Sequence, residues 1–209
     1  MLRRGKDRVA VLDGLDVDRS AVERSRRDPA AFEALYRKYV AQVYSFALYE
    51  LRDPHAAEDV TAQVFLRALA GLPRFHEQAD GPDSSFRVWL FQIARNALSN
   101  EKRHARRHPT APIDLVLEYP ASDDTHTAAS NRVELARAWE LIDRLPSDRR
   151  RALVLRFVNE MSTREIGEIL GRSEGATRVL IHRSLQSVAR QMRRAEEPGV
   201  RFPRKRATN

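Results

Sequence analysis

The chain has no cysteine in its 209 residues. Disulfides, thiolate-ligated zinc, iron–sulfur clusters and thiol nucleophiles are thereby excluded, and a reducing cytosol suits it. Long apolar runs are also missing: no stretch of about 18 consecutive apolar residues occurs, so no membrane-spanning segment is expected. Met1 to Val22 carries arginines and aspartates without a continuous apolar core, which is not the pattern of a signal peptide. Glycine is sparse at eight residues, and the apolar residues recur at three- and four-residue spacing instead of alternating. An all-α fold is expected from that period. The phosphate loop GxxxxGK[ST], the dinucleotide fingerprint GxGxxG and the nucleophile elbow GxSxG do not occur.

What the sequence does have is positive charge. Lysine and arginine number 37 against 29 aspartates and glutamates, a formal net charge of +8. Such an excess favours a polyanionic partner, either nucleic acid or a membrane surface. Hydrophobic residues make up 42% and charged residues 32%, enough apolar material for packed cores in a soluble chain.

Asp28-Pro29 reads as an N-cap followed by proline at the first helical position. Phe32, Leu35, Tyr36, Tyr39, Val43 and Phe46 then make one stripe. Asp53-Pro54 repeats the signal and starts a second helix through Val60, Val64, Phe65 and Leu69 to about Leu72. After Gly71, Pro73 and Gly81-Pro82, the residues Phe86, Trp89, Leu90, Ile93 and Ala97 define a third helix. From His108 to about Ser130 prolines, serines and aspartates cluster without a period, as in a linker. Helical spacing resumes with Val133, Leu135, Ala138, Trp139, Ile142 and Leu145, and Pro146-Ser147 restarts it. The expected organisation is two small helical domains: a loosely ordered extension over 1–22, a first head over 23–107, a flexible linker over 108–130, a four-helix second head over 131–194, and a basic tail over 195–209.

Ser162-Thr163-Arg164-Glu165 fits a capping box. Ile166, Ile169 and Leu170 give the helix an apolar face, Gly171 suits a left-handed helix end, and Ser173 caps the next helix. That next helix is expected to bury Thr177, Ile181, Leu185 and Val188. A short helix, a glycine-containing turn and a second capped helix make a helix-turn-helix, whose second helix lies in the major groove. Away from its buried stripe it shows Arg178, Val179, His182, Arg183, Gln186 and Arg190: guanidinium groups for guanine edges or phosphates, and a small apolar side chain for a thymine methyl. An ordinary helical hairpin with solvated arginines has the same local spacing.

On the third helix Gln92, Arg95, Ser99, Lys102 and Arg103 lie opposite the apolar stripe, with Asn96 at its border. His104, Arg106 and Arg107 extend the basic end, which fits a phosphate backbone, or simply cations placed well at a helix C-terminus. His104 and His108 have a metal-compatible i, i+4 spacing. No cysteine completes that pair and Arg103, Arg106 and Arg107 surround it, so no metal and no cofactor is expected.

Taken together, these strings resemble the extracytoplasmic-function sigma factors, the minimal bacterial sigma-70 members that keep regions 2 and 4 only. Asp28-Pro-Ala-Ala-Phe-Glu-Ala-Leu-Tyr is similar to the start of region 2. Ala57-Glu-Asp-Val-Thr-Ala-Gln-Val-Phe-Leu-Arg-Ala-Leu is similar to the helix that docks on the β′ clamp of RNA polymerase, and Phe86-Arg-Val-Trp-Leu-Phe-Gln-Ile-Ala-Arg-Asn to the promoter-melting helix. Leu145-Pro-Ser-Asp-Arg-Arg resembles the opening of region 4, and Ser162 to Leu185 its helix-turn-helix.

The resemblance implies a non-enzymatic, cytoplasmic initiation factor that binds core RNA polymerase at the β′ clamp and β flap, recognises two promoter elements and promotes melting. It implies polymerase contacts at Glu58, Asp59, Val60, Gln63 and Phe65. Where the family has glutamine followed by an acidic residue, this chain has Ala62 and Gln63, which shifts weight to Asp59, Val60 and Phe65. Minus-ten contacts are implied at Phe75, Arg95, Asn96, Ser99, Lys102 and Arg103, with Asn96 and Phe75 holding a flipped base. Plain core packing is the other reading of Phe75. Minus-thirty-five contacts are implied at Thr163, Arg164, Arg178, Val179, His182, Arg183 and Gln186, although Val179 and Leu180 replace a small polar and a basic residue. The linker acids Asp114, Glu118, Asp123 and Asp124 fit either a segment that threads the polymerase cleft or a simple tether. An anti-sigma partner is a further implication. A regulator that uses the same helix-turn-helix beside another sigma factor would leave the second and third helices without a role.

Overall fold

Side-chain caps open several of the helices. In the computed structural model, which describes residues 18–77, 85–107 and 128–196, every regular element among those residues is helical. The Asp28 carboxylate accepts from the amide of Ala30 at 2.9 Å and opens a short 3-10 turn, Pro29–Phe32, that runs into α2, Glu33–Leu51. Asp53 accepts from the amides of His55 and Ala56 at 2.9 and 3.1 Å and starts α3, Pro54–Gly71. These bonds satisfy amides that have no partner within their own helix. A second 3-10 turn, Leu72–Arg74, follows, and α4 spans Ser85–Arg107.

A helix also precedes these. α1 covers residues 18–27, so residues 18–22 of the loose extension expected over 1–22 are helical. Ala21 and Val22 are buried, and the buried carboxylate of Asp18 receives hydrogen bonds from Lys38, at 2.6 Å, and from the hydroxyl of Tyr39. Burial, reinforced by the Asp18 charge, pushes the Tyr39 phenol well above its ordinary value. With only two apolar residues on its inner face, α1 has too little periodicity to stand out in the sequence.

Around α2 to α4 the first core is aromatic. Phe46 packs on Phe91 with ring centroids 5.5 Å apart, and Phe75, Phe86 and Trp89 form a mutual cluster. Gly71 lets that cluster close, because a Cβ there would sit 3.1 Å from the Trp89 ring.

The second head comprises α5 (Ala128–Asp143), α6 (Ser147–Phe157), α7 (Thr163–Leu170) and α8 (Glu174–Glu196). The capping box at α7 is complete: Ser162 Oγ accepts from the Glu165 amide at 3.2 Å, and the Glu165 carboxylate accepts from the Ser162 amide at 2.8 Å. Gly171 ends α7 with φ 70°, and Ser173 Oγ accepts from the Ala176 amide at 3.3 Å as α8 begins. Leu153, Leu155, Met161, Ile166 and Ile169 are fully buried beneath these helices.

One expected core position is wrong. Leu185 is 40% exposed, and Ser184 takes the inner place with its hydroxyl donating to the Leu180 carbonyl at 2.7 Å. The inner row of α8 is Thr177, Ser184 and Val188 with Ile181 half-buried. The satisfied hydroxyl is what allows a serine to sit there.

Instead of standing apart, the two heads are packed against each other, α4 on α7 and α2 on α6. Tyr49 and Trp139, both buried, lie with ring centroids 4.9 Å apart across the junction. Residues 108–127, most of the expected linker, fall outside the described residues, as do residues 1–17 and the tail beyond 196.

Within the helix-turn-helix, a Cβ on Gly167 would meet the Arg172 carbonyl at 2.8 Å and Thr177 Oγ1 at 3.1 Å, whereas one on Gly175 would meet nothing within 4 Å. Gly167→Ala is therefore expected to lower stability by about 1–3 kcal/mol through overpacking. Gly175→Ala should be neutral or stabilising by up to about 1 kcal/mol through helix propensity. Urea unfolding of the two variants checks this, and equal effects would contradict the close-approach argument.

Candidate nucleic-acid interface

The best-formed polar surface belongs to α8. Its buried row docks it on α6 and α7, and the opposite side presents Arg178, Val179, His182, Arg183 and Gln186, all exposed. Arg178 has a single partner in the helix, Glu174 at 3.0 Å, with 73% of its side chain accessible. Thr163 and Arg164, at the start of α7, are half-buried, and Arg164 pairs with Glu168 at 3.0 Å. The five α8 residues occupy the second to fourth turns of a helix whose first residues, 174–176, are exposed, a geometry suited to entering a major groove.

The outward face of α4 is in a different situation. Asn96 and Arg103 are exposed, but Arg95 is half-buried and donates to the Ile169 carbonyl at 2.5 Å. Gln92 donates to the Glu168 carbonyl at 3.1 Å. Ser99 accepts from Arg151 at 3.4 Å, and Lys102 is bonded to Glu50. Phe75 is a core side chain, 6% exposed, with its ring against Phe86 and Trp89. Its edge nevertheless helps line a cavity of about 430 Å³ together with Arg74, His76, Trp89, Gln92 and Glu168.

Glu50 organises the junction of the heads. Its side chain has no accessible surface, and three cations surround it: Lys102, Arg150 at 3.4 Å and Arg151 at 3.2 Å. Burial opposes ionisation, but Lys102, Arg150 and Arg151 outweigh it and hold the carboxyl below its ordinary value. Burial pulls Lys102 below its ordinary value as well, because one carboxylate shared with two guanidinium groups does not repay the desolvation of the ammonium.

On α3 the side chains of Glu58, Asp59 and Gln63 are exposed. Val60 and Phe65, to which the departure at Ala62-Gln63 shifted weight, are core residues at 1% and 5% exposure. The helical period turns positions 60, 64 and 68 inward. Leu66, which sequence reasoning did not single out, is the most exposed large apolar residue among the described residues, at 67%. A leucine one place after a buried phenylalanine, on the same side as Gln63 and Glu58, carried that signal in the sequence.

Comparison with known proteins decides between an initiation factor and an ordinary two-headed regulator. Residues 35–108 match the family model for sigma-70 region 2, and residues 135–188 match that for sigma-70 region 4. The RNA polymerase sigma factor CarQ of Myxococcus xanthus is 32% identical over 76% of this chain and 87% of its own length. The chain belongs to the extracytoplasmic-function sigma factors of the sigma-70 family. A further relative, the extracytoplasmic-function sigma factor BldN of Streptomyces coelicolor, is 31% identical over 81% of this chain, which spans 63% of BldN's length. The solved sigma factor RpoE of Bartonella quintana, determined in complex with the anti-sigma factor NepR, shares the fold with a TM-score of 0.57 at 19% identity, over 79% of this chain and 98% of that one.

As a sigma factor with regions 2 and 4, the protein recognises promoter elements and initiates transcription with RNA polymerase. Region 2 is the α2–α4 head and region 4 the α5–α8 head. Sigma factors are DNA-binding transcription regulators rather than enzymes. Among the described residues no helix is long and apolar enough to cross a membrane, and no cluster of metal-binding side chains occurs. Of the pair His104 and His108, His108 lies outside the described residues.

The depressed carboxyl of Glu50 gives the sigma factor a pH signature. A group held below its ordinary value in the packed heads contributes fully above that value, about 4.3 for glutamate, and less as pH falls through the depressed one. Small-angle scattering is expected to show heads packed equally from about pH 7 to pH 5 and parting at lower pH. Glu50→Gln should remove that dependence, and heads that stay packed in wild type down to about pH 2 would contradict it.

Proposed function

We propose that the sigma factor divides promoter recognition between its two heads. α8 reads the minus-thirty-five element as duplex through Arg178, Val179, His182, Arg183 and Gln186, with Thr163 and Arg164 on the flanking backbone. α4 captures the minus-ten element as a single strand through Arg95, Asn96, Ser99, Lys102 and Arg103. The carrying observation is the open α8 face, where five side chains able to reach base edges or phosphates stand exposed on the second helix of a helix-turn-helix. A flipped minus-ten base fits the cavity beside Trp89, His76 and Arg74 better than a stack on the Phe75 ring. Phe75 then acts as the floor, and stacking and edge hydrogen bonds offset the unstacking of the base.

The clamp of core polymerase docks on the exposed side of α3, on Glu58, Asp59, Gln63 and Leu66, with Val60 and Phe65 stiffening the helix from within. The β flap engages region 4. The factor works in the cytoplasm, at the nucleoid when active, and an anti-sigma protein holds it in reserve. The RpoE–NepR complex supports that last point by likeness of fold alone.

Purified core polymerase plus this chain is expected to initiate from a promoter of its own genome with no other sigma factor present; a chain that acts only beside another sigma factor is a regulator instead. Leu66→Asp should weaken core binding by about tenfold or more while leaving the helical content unchanged, since it removes an apolar anchor from an exposed position. Arg183→Ala should cost about 1–3 kcal/mol of promoter affinity at one or two upstream base pairs. A loss spread evenly over all sequences would reassign Arg183 to phosphate.

A further inference from the structure

We infer that Arg26 of α1 is a positioning residue for the cavity that takes the flipped minus-ten base, which makes the helix preceding α2 part of the minus-ten reader. This deepens the cavity reading proposed above and rests on it. Arg26 sits in the last turn of α1, and its guanidinium crosses to the segment that leads from α3 to α4. One terminal nitrogen donates to the Phe75 carbonyl, 49 positions along the chain, and the other pairs with Glu23 at 2.8 Å. Arg74, Phe75 and His76 line the cavity together with Trp89 and Gln92 of α4. That wall is held at both ends. The Phe75 amide donates to the Leu72 carbonyl at 3.1 Å, while the Glu77 carboxylate accepts from the amide and hydroxyl of Ser85, at 3.2 and 2.6 Å, where α4 starts. The Arg26 bond acts between these anchors, on the peptide that joins Phe75 to His76. Rotation of that peptide would swing His76 and reshape the wall, and a guanidinium bonded to its carbonyl opposes the rotation.

Attachment of α1 to the head does not require this arginine. Asp18 is bonded to Lys38 and Tyr39, and Ala21 and Val22 are buried, so the first turns of α1 are already anchored on α2. At Arg26 the balance is less favourable, because Nε is buried without a hydrogen-bond partner among the described residues. A buried donor left unmatched costs stability, and a methionine would fill the same space without that cost. What the arginine supplies instead is a donor on the Phe75 carbonyl, oriented from behind by Glu23. A wall fixed in its bound shape takes up a base without first having to be ordered, so affinity and discrimination at that one base depend on a residue that does not touch it.

The test uses the full chain bound to core polymerase and dye-labelled single strands copied from the minus-ten segment of a promoter from which that holoenzyme initiates. One abasic site is moved through the strand base by base, and fluorescence anisotropy gives the affinity for each. Wild type is expected to lose about tenfold or more at one position, the base that enters the cavity. Arg26→Met keeps the buried stem and removes the donors. It should bind the intact strand about tenfold more weakly and lose the penalty at that position, with the penalties elsewhere unchanged. Arg26→Lys returns one donor and should recover part of both. Glu23→Ala, at an exposed position, lets the guanidinium swing and should reduce the same penalty part-way, so a folding defect in Arg26→Met leaves a second readout. A loss of stability alone lowers binding to every strand alike and preserves the wild-type profile. That preserved profile in Arg26→Met and Glu23→Ala overturns the inference, as does an Arg26→Lys variant no better than Arg26→Met. A wild type in which no position stands out overturns the cavity reading itself and this inference with it, a failure visible before any variant is measured.

Discussion

A carboxylate with no access to water sets the constraint on which the arrangement of this molecule depends. Glu50 lies at the C-terminal end of α2, and it is neutralised from two directions: by Lys102 within its own head and by Arg150 and Arg151 from the other. A buried charge needs such partners, and removing them leaves a desolvated ion whose cost reaches several kcal/mol. The region 2 head therefore carries a group that is best satisfied when region 4 is docked. Tyr49 beside it adds an aromatic contact to Trp139, and Arg52, two residues on, reaches Asp143. The last turn of α2 and its cap thus face the second head.

From that constraint the fate of each functional surface follows. Docking through α2 and α6 brings α7 over α4, so the side of α4 that is polar in sequence becomes half-buried in the packed protein. The helix-turn-helix is carried on the same docked body, yet α8 points its reading face away, because its inner row of Thr177, Ser184 and Val188 is committed to α6 and α7. Glycine is needed at two close approaches, Gly71 against Trp89 and Gly167 beneath the turn, and at Gly171 for its φ of 70°.

How much of this is legible in the sequence depends on how far apart the interacting residues are. The caps at Asp28, Asp53 and Ser162, the proline starts and the glycine stop are local chemistry, and each reads directly from a few adjacent residues. The family, too, is legible, since it is carried by short strings in a fixed order. What escaped depends on distant pairs. Glu50 and Arg151 are separated by 101 positions, and Gln42 and Asn159 by 117, and nothing in either neighbourhood announces the other. The finer errors have a different origin: Leu185 against Ser184, and Phe65 against Leu66, are adjacent residues on a helix surface, where 100° of rotation separates core from solvent and hydrophobicity alone does not locate the boundary.

Two chemically distinct faces, α8 on duplex and α4 on a melted strand, are proposed to serve one promoter at the same time. Site-specific photo-crosslinkers placed at Arg183 and at Asn96, irradiated in an initiation complex with core polymerase, address it most directly. An adduct is expected from position 183 in double-stranded upstream DNA and one from position 96 on an unpaired strand near the start site, both within the same complex. Adducts from both positions in one duplex segment, or none from position 96 once the DNA has melted, would contradict it.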